Sequence, residues 1–320
     1  MDMNEEMKTE VPAQHETGKE TDKKTKPNVI ATLLKVTVYI SSYYLMELLW
    51  ETVLVVVTLF QYRADFGNEW GAFLHDTNVR TKFINAILNR TELLKWYELA
   101  AAVSWILLLF IFFRIRKQHV LGRCGLKKCS PVFFLVGALI GIGSKLLLDG
   151  ICCLLPQLTG GETAGVIAVA SFKDLYLSDP NSGLNAVMRV LGVGIMVPIA
   201  EEIVFRGICL DHLRKIWPVP AAVAVICVIF GLIHYPAPPV IMLFMALWSI
   251  LLCLMVYRSG SVIPSVLCHM ILNMISVFRS IDNIQFQAAA GGWLVGLGIL
   301  FLIGGGLLLL RLRSSGLNQS

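Results

Sequence analysis

The apolar positions of this chain gather into long runs separated by short polar stretches. A membrane-spanning helix needs about 20 mostly apolar residues, and eight runs qualify. The first lies within Val29–Phe60 and is longer than one crossing requires. The others are Tyr97–Phe113, Val132–Leu155, Leu184–Phe205, Val219–His234, Val240–Tyr257, Val262–Phe278 and Ala288–Leu310. Pro218, Pro236, Pro238, Pro239 and Pro264 punctuate the later runs as helix boundaries do. Residues 1–27 mix Lys with Glu and Asp, hold almost no large apolar side chains, and are expected to be a disordered tail. Between the first two runs, Arg80–Lys95 sets Phe83, Ile84, Ile87, Leu88 and Leu94 against Arg80, Lys82, Asn85 and Glu92. That segment is expected to lie flat at the interface, with a soluble extracytoplasmic hairpin as the alternative. The pattern predicts an all-α polytopic membrane protein. Its parts are the cytoplasmic tail 1–27, N-terminal transmembrane helices over 28–130, a helical core over 131–313 and a short tail over 314–320.

Composition agrees. An ordinary soluble domain is about 45–50% apolar and about 25% charged; here the figures are 56% and 15%, with a mean hydropathy of +0.69. Lipid must solvate much of that surface. The net charge is +5, but its placement says more. Arg114, Arg116, Lys117, Arg123, Lys127 and Lys128 fill the stretch between the second and third runs without an acid, which marks that loop as cytoplasmic. Alternation then puts Arg214, Lys215, Arg258, Arg311 and Arg313 inside as well. The loops Pro156–Gly183 and Tyr235–Pro239 carry one Lys between them and fall outside. Eight spans with both termini in the cytoplasm satisfy every short loop. The N-terminus lacks the basic start and small-residue cleavage site of a signal peptide, so the first apolar run is expected to stay as an anchor. Eight cysteines show no CxxC pair and no regular framework, which argues against a disulfide scaffold or a zinc ribbon. Gly137 with Gly141, and Gly292 with Gly296, have the GxxxG spacing that lets helices pack closely.

Ionisable residues inside a bilayer are costly and usually face a polar interior. The densest group is Glu201-Glu202, followed by Arg206. Glu202 and Arg206 are i,i+4 and share a helix face, whereas Glu201 is turned about 100° away. One cation for two carboxylates leaves one acid uncompensated, and burial moves such a group toward the range useful for a general base. The fifth run ends Phe230-Gly-Leu-Ile-His234, and the seventh contains His269-Met-Ile-Leu-Asn273. Each helix thus presents an i,i+4 pair, and His234 and His269 are the only histidines within the apolar runs. A Glu, two His and an Asn brought together from three helices supply a base, a water-positioning group and oxyanion donors. That inventory fits hydrolysis of an amide bond. Depth sets a condition. His234 lies about 22 Å along its span and His269 only about 10 Å along its own, at 1.5 Å per residue. Convergence requires tilt, a deeper start to span seven, or a kinked or overlong fourth helix, for which Pro198 offers the kink.

These stretches resemble the EExxxR, FxxxH and HxxxN motifs of the CPBP family, the CAAX-processing type II endopeptidases and bacteriocin-processing and immunity proteins. The resemblance covers about Ala186 to Phe278 and fills every motif position. It implies an intramembrane endopeptidase whose protease core lies within residues 131–313. Glu201 would activate water, His234 would help hold that water, and His269 and Asn273 would stabilise the oxyanion. Glu202 with Arg206 would be a supporting ion pair and Phe230 a packing residue. A metal-free glutamate mechanism is the preferred reading, because Asn serves an oxyanion better than it serves zinc. Were zinc used, Glu201, Glu202, His234 and His269 would be its ligands.

Other protease types fit less well. There is no HExxH, no GxSG and no GxGD. The Leu148-Asp149-Gly150 likeness to a site-2-protease motif is better explained by pairing of Asp149 with Lys145. Two non-protease alternatives remain: a membrane immunity or binding protein of the same fold, and a proton-coupled transporter using Glu201 and Arg206. The intact motif set favours the enzyme, and the transporter would predict matching broken helices in two repeated halves. The expected partners are a peptide or membrane-protein substrate and the lipid bilayer, with no nucleic acid, in a bacterial cell membrane.

Overall fold

Each apolar run becomes a helix because a backbone in lipid must satisfy its polar groups internally. The computed structural model of the chain describes residues 28–66, 71, 75–81, 96–158, 183–235, 237–281 and 288–312. The predicted tails 1–27 and 314–320, the loop 159–182 and most of the amphipathic segment Arg80–Lys95 lie outside them. Among the described residues there are helices and no strands. We number the helices α1 (Val29–Phe66), α2 (Tyr97–Ile115), α3 (Val120–Arg123) and α4 (Val132–Leu158), then α5 (Gly183–Arg189), α6 (Val197–Glu202) and α7 (Leu210–Leu213). These are followed by α8 (Val219–Leu232), α9 (Pro239–Ser259), α10 (Ile263–Ile281) and α11 (Gly291–Arg311).

Among the described residues five helices are long and apolar enough to cross a membrane: α1 over Val29–Val57, α2, α4 over Val132–Leu155, α9 and α11. Two more apolar helices, Val219–Leu232 and Ile263–Arg279, are shorter. The remaining predicted run, Leu184–Phe205, is not one regular helix. Between α5 and α6, and between α6 and α7, the backbone winds as π-helix over Val190–Met196 and Ile203–Cys209. The Val197 N–H reaches back five residues to the Gly192 carbonyl, and the Leu210 N–H five residues to that of Phe205. Such widened turns are rare and concentrate at functional sites. Here they flank the two glutamates.

Small residues set the helix spacing. A Cβ on Gly137 would stand 2.7 Å from the Pro264 carbonyl oxygen, and one on Gly141 2.7 Å from that of Cys268. This GxxxG pair therefore presses α4 onto α10, as its spacing predicts. The second pair does not. Gly292 and Gly296 face open space, and α11 meets α4 through Gly291, Gly298 and Gly305, spaced seven apart. A seven-residue stripe stays on one side of a helix that follows its neighbour over several turns, and it displaces the four-residue pair from the contact.

Two further contacts hold the matched ends of helices. The Val262 N–H donates to the Gly125 carbonyl at 3.0 Å, and the left-handed Gly260 (φ 70°) closes α9 just before it. Val262 is fully buried, so α10 starts beneath the loop after α3 rather than at the protein surface. Gly207 lies against the Cys124 carbonyl, with no room for a Cβ. All eight cysteines are free. Lys145 pairs with Asp149 at 2.7 Å as its spacing predicts, and Arg279 of α10 adds a second ion pair to the same carboxylate at 2.5 Å.

Candidate active site

Arg206 organises the buried polar centre. It is 2% exposed, so its charge must be met from within the protein. One guanidinium nitrogen donates to Glu202 Oε1 at 2.9 Å and the other to Ser249 Oγ of α9 at 2.6 Å. Its carbon sits 4.2 Å from the centre of the Phe230 ring, a cation–π contact. Glu202 is thereby spent on Arg206, and Glu201 has no such cation. The i,i+4 spacing read from the sequence places both groups as expected.

His269 joins the two glutamates. Its Nδ1 lies 3.1 Å from Glu202 Oε1, and its Nε2 lies 3.8 Å from Glu201 Oε2. A carboxylate only accepts, so the short contact puts the Nδ1 proton toward Glu202 and turns Nε2 toward Glu201. Trp248 packs edge-on against the His269 ring at 5.0 Å, and Phe230 does so at 6.0 Å.

His234 stands just past the end of α8. Its Nδ1 is 2.7 Å from the Phe230 carbonyl oxygen, one of the orphan acceptors at a helix C-terminus. A carbonyl cannot donate, so Nδ1 carries the proton and Nε2 keeps its lone pair. The Phe230 and His234 rings are 4.9 Å apart. Both histidines therefore lie against Phe230, which resolves the difference in depth.

Asn273 makes a contact that its motif does not announce. Its Nδ2 donates to the Val193 carbonyl at 2.9 Å. In the π-wound stretch that carbonyl would pair with the N–H five residues on, and that residue is Pro198, which has none. Asn273 fills the vacancy and spends one N–H on it; the amide's second N–H is not needed there. Pro198→Ala is expected to restore the missing backbone donor, so that it relieves the stability lost in Asn273→Ala. A double-mutant cycle on thermal denaturation should show a coupling of about 0.5–1.5 kcal/mol, and strict additivity would rule the linkage out.

Residues 183–275 match the family described as Type II CAAX prenyl endopeptidase Rce1-like. The match supports the family suspected from the three motifs, and it spans Glu201, Glu202, Arg206, Phe230, His234, His269 and Asn273. It stops short of α1, α2, α4 and α11. Searches of curated proteins and of solved structures found no match. Together with the apolar helices, the Rce1-like segment indicates an integral membrane protein and supports a protease of the CAAX endopeptidase kind.

Sequence reasoning missed Ser249 and Trp248. Ser249 was visible as the one serine or threonine of the run Val240–Tyr257, but its partner Arg206 lies on another helix and no spacing rule connects them. Zinc fits poorly: among the described residues no three His, Cys, Asp or Glu side chains are grouped to hold a metal ion.

Proposed function

We propose that the protein is an intramembrane endopeptidase that hydrolyses a peptide bond in a membrane-associated protein or peptide, using water activated by Glu201. The observation that supports this most is the placement of His269, with Nδ1 on Glu202 and Nε2 facing Glu201. Glu201 takes the proton of a water held by the lone pair on His234 Nε2. The oxygen attacks the scissile carbonyl carbon, and the oxyanion is met by the second N–H of Asn273 and by His269 in its doubly protonated form, whose Nδ1–H donates to Glu202 while its Nε2–H serves the oxyanion. Glu201 then returns the proton to the leaving nitrogen as the C–N bond breaks. Arg206 and Glu202 hold His269 in register throughout. The chain crosses the membrane eight times, with both termini in the cytoplasm, in a bacterial cell membrane.

Purified protein incubated with membrane-anchored peptide substrates should cleave them. His234→Ala should lower kcat by about 10²-fold or more with a smaller change in KM. Full activity in that variant would remove His234 from the water-holding role.

A further inference from the structure

A cavity of about 160 Å³ opens beside the buried centre, between the loop after α3, the π-wound stretch Ile203–Cys209, α7, α8 and α9. It is far larger than one water needs, about 10–15 Å³. Arg123, Lys127, Arg206 and Arg214 line it, against a single carboxylate, Asp211. That carboxylate is already bound by Arg214 at 2.9 Å and Lys215 at 2.6 Å. The Nε atoms of Arg206 and Arg214 are buried without a hydrogen-bond partner. A buried donor left without an acceptor is costly, so both guanidinium groups have capacity for a further acceptor. Val223 and Tyr257 form part of the wall, and Tyr257 is 37% exposed on a helix that is apolar along its length.

We propose that this cavity is a binding site for a phosphate group, carried by the headgroup of an anionic lipid in the leaflet next to the cationic loop. Planar guanidinium groups match phosphate oxygens in pairs, and basic pockets between transmembrane helices take such headgroups. The apolar wall suits the glycerol and acyl portion, which favours a lipid over a free ion. Because Arg206 also holds Glu202, which holds His269, an occupant of this site touches the same guanidinium that orders the catalytic centre. That link rests on the proposed proteolysis; the binding site itself does not.

The test uses the full chain in a neutral detergent, following thermal denaturation as short-chain phosphatidylglycerol, short-chain phosphatidylcholine or inorganic phosphate is added. Phosphatidylglycerol should raise Tm in a saturable way and phosphatidylcholine should not. Arg123→Gln/Lys127→Gln should keep the lipid-free Tm and need about tenfold more phosphatidylglycerol or more for the same shift; Lys127→Gln alone gives a milder variant if the pair folds poorly. Arg116→Gln/Lys128→Gln, outside the cavity, should respond as the parent does. Equal loss in both pairs would reduce the effect to surface charge and overturn the site, as would a parental response from the cavity pair. A matching shift with inorganic phosphate, lost in the cavity pair, would keep the phosphate site and overturn its lipid occupant. Lipid binding with no proteolysis would sink the proposed function and leave this site standing.

Discussion

Glu201→Gln is expected to lower kcat by about 10²–10⁴-fold while the protein melts at nearly the parent temperature. Glu201 is 8% exposed and is not the partner of Arg206, which is committed to Glu202 at 2.9 Å. Gln keeps its volume and can still face His269 Nε2, so packing changes little. What disappears is the group able to take a proton from water. Steady-state cleavage read beside thermal denaturation separates the two effects. A folded Glu201→Gln variant that cleaves at the parent rate would end the glutamate mechanism, and a variant that fails to fold would make Glu201 a structural residue instead.

Arg206→Met is expected to have the opposite profile, a loss of stability first. Glu202 and Arg206 side chains are both fully buried. Removing one partner of a buried pair typically costs about 3–5 kcal/mol, because the other charge is left without compensation. Here Ser249 Oγ and the face of Phe230 lose their partner as well. Glu202→Gln/Arg206→Met, which removes both charges, should recover part of the loss yet remain slow, since His269 Nδ1 keeps only a neutral acceptor. Detergent-solubilised protein followed by thermal denaturation checks the order of stabilities. A single Arg206→Met variant as stable as its parent would show that the pair supports nothing.

The helices were legible because apolar runs in lipid leave the backbone little choice, and α2, α4 and α9 fall within a few residues of their expected ends. Glu202 with Arg206, and Lys145 with Asp149, were legible for the same local reason: four residues make one helical turn. Contacts across the chain were not. Nothing in the spacing of Ser249, Trp248 or Arg279 names a partner on another helix. Pro198 did suggest an irregularity beside the glutamates. The form it takes, a widened turn with Asn273 standing in for the absent N–H, depends on how closely α10 approaches. The glycine pairs show the limit well: Gly137 with Gly141 and Gly292 with Gly296 have identical spacing, and only the first is turned toward a neighbour.

The loop after α3 reaches two of the three motif-bearing segments, the start of α10 through the Gly125 carbonyl on the Val262 N–H and the π-wound stretch through the Cys124 carbonyl on Gly207. Residues 183–275 are therefore not a portable module, although the family match begins and ends there. A chimera that transplants them onto foreign N-terminal helices should assemble properly only if the Cys124-Gly125 stretch and the Gly137–Gly141 face of α4 travel with them, because both are seams where the N-terminal part locks onto residues 183–275.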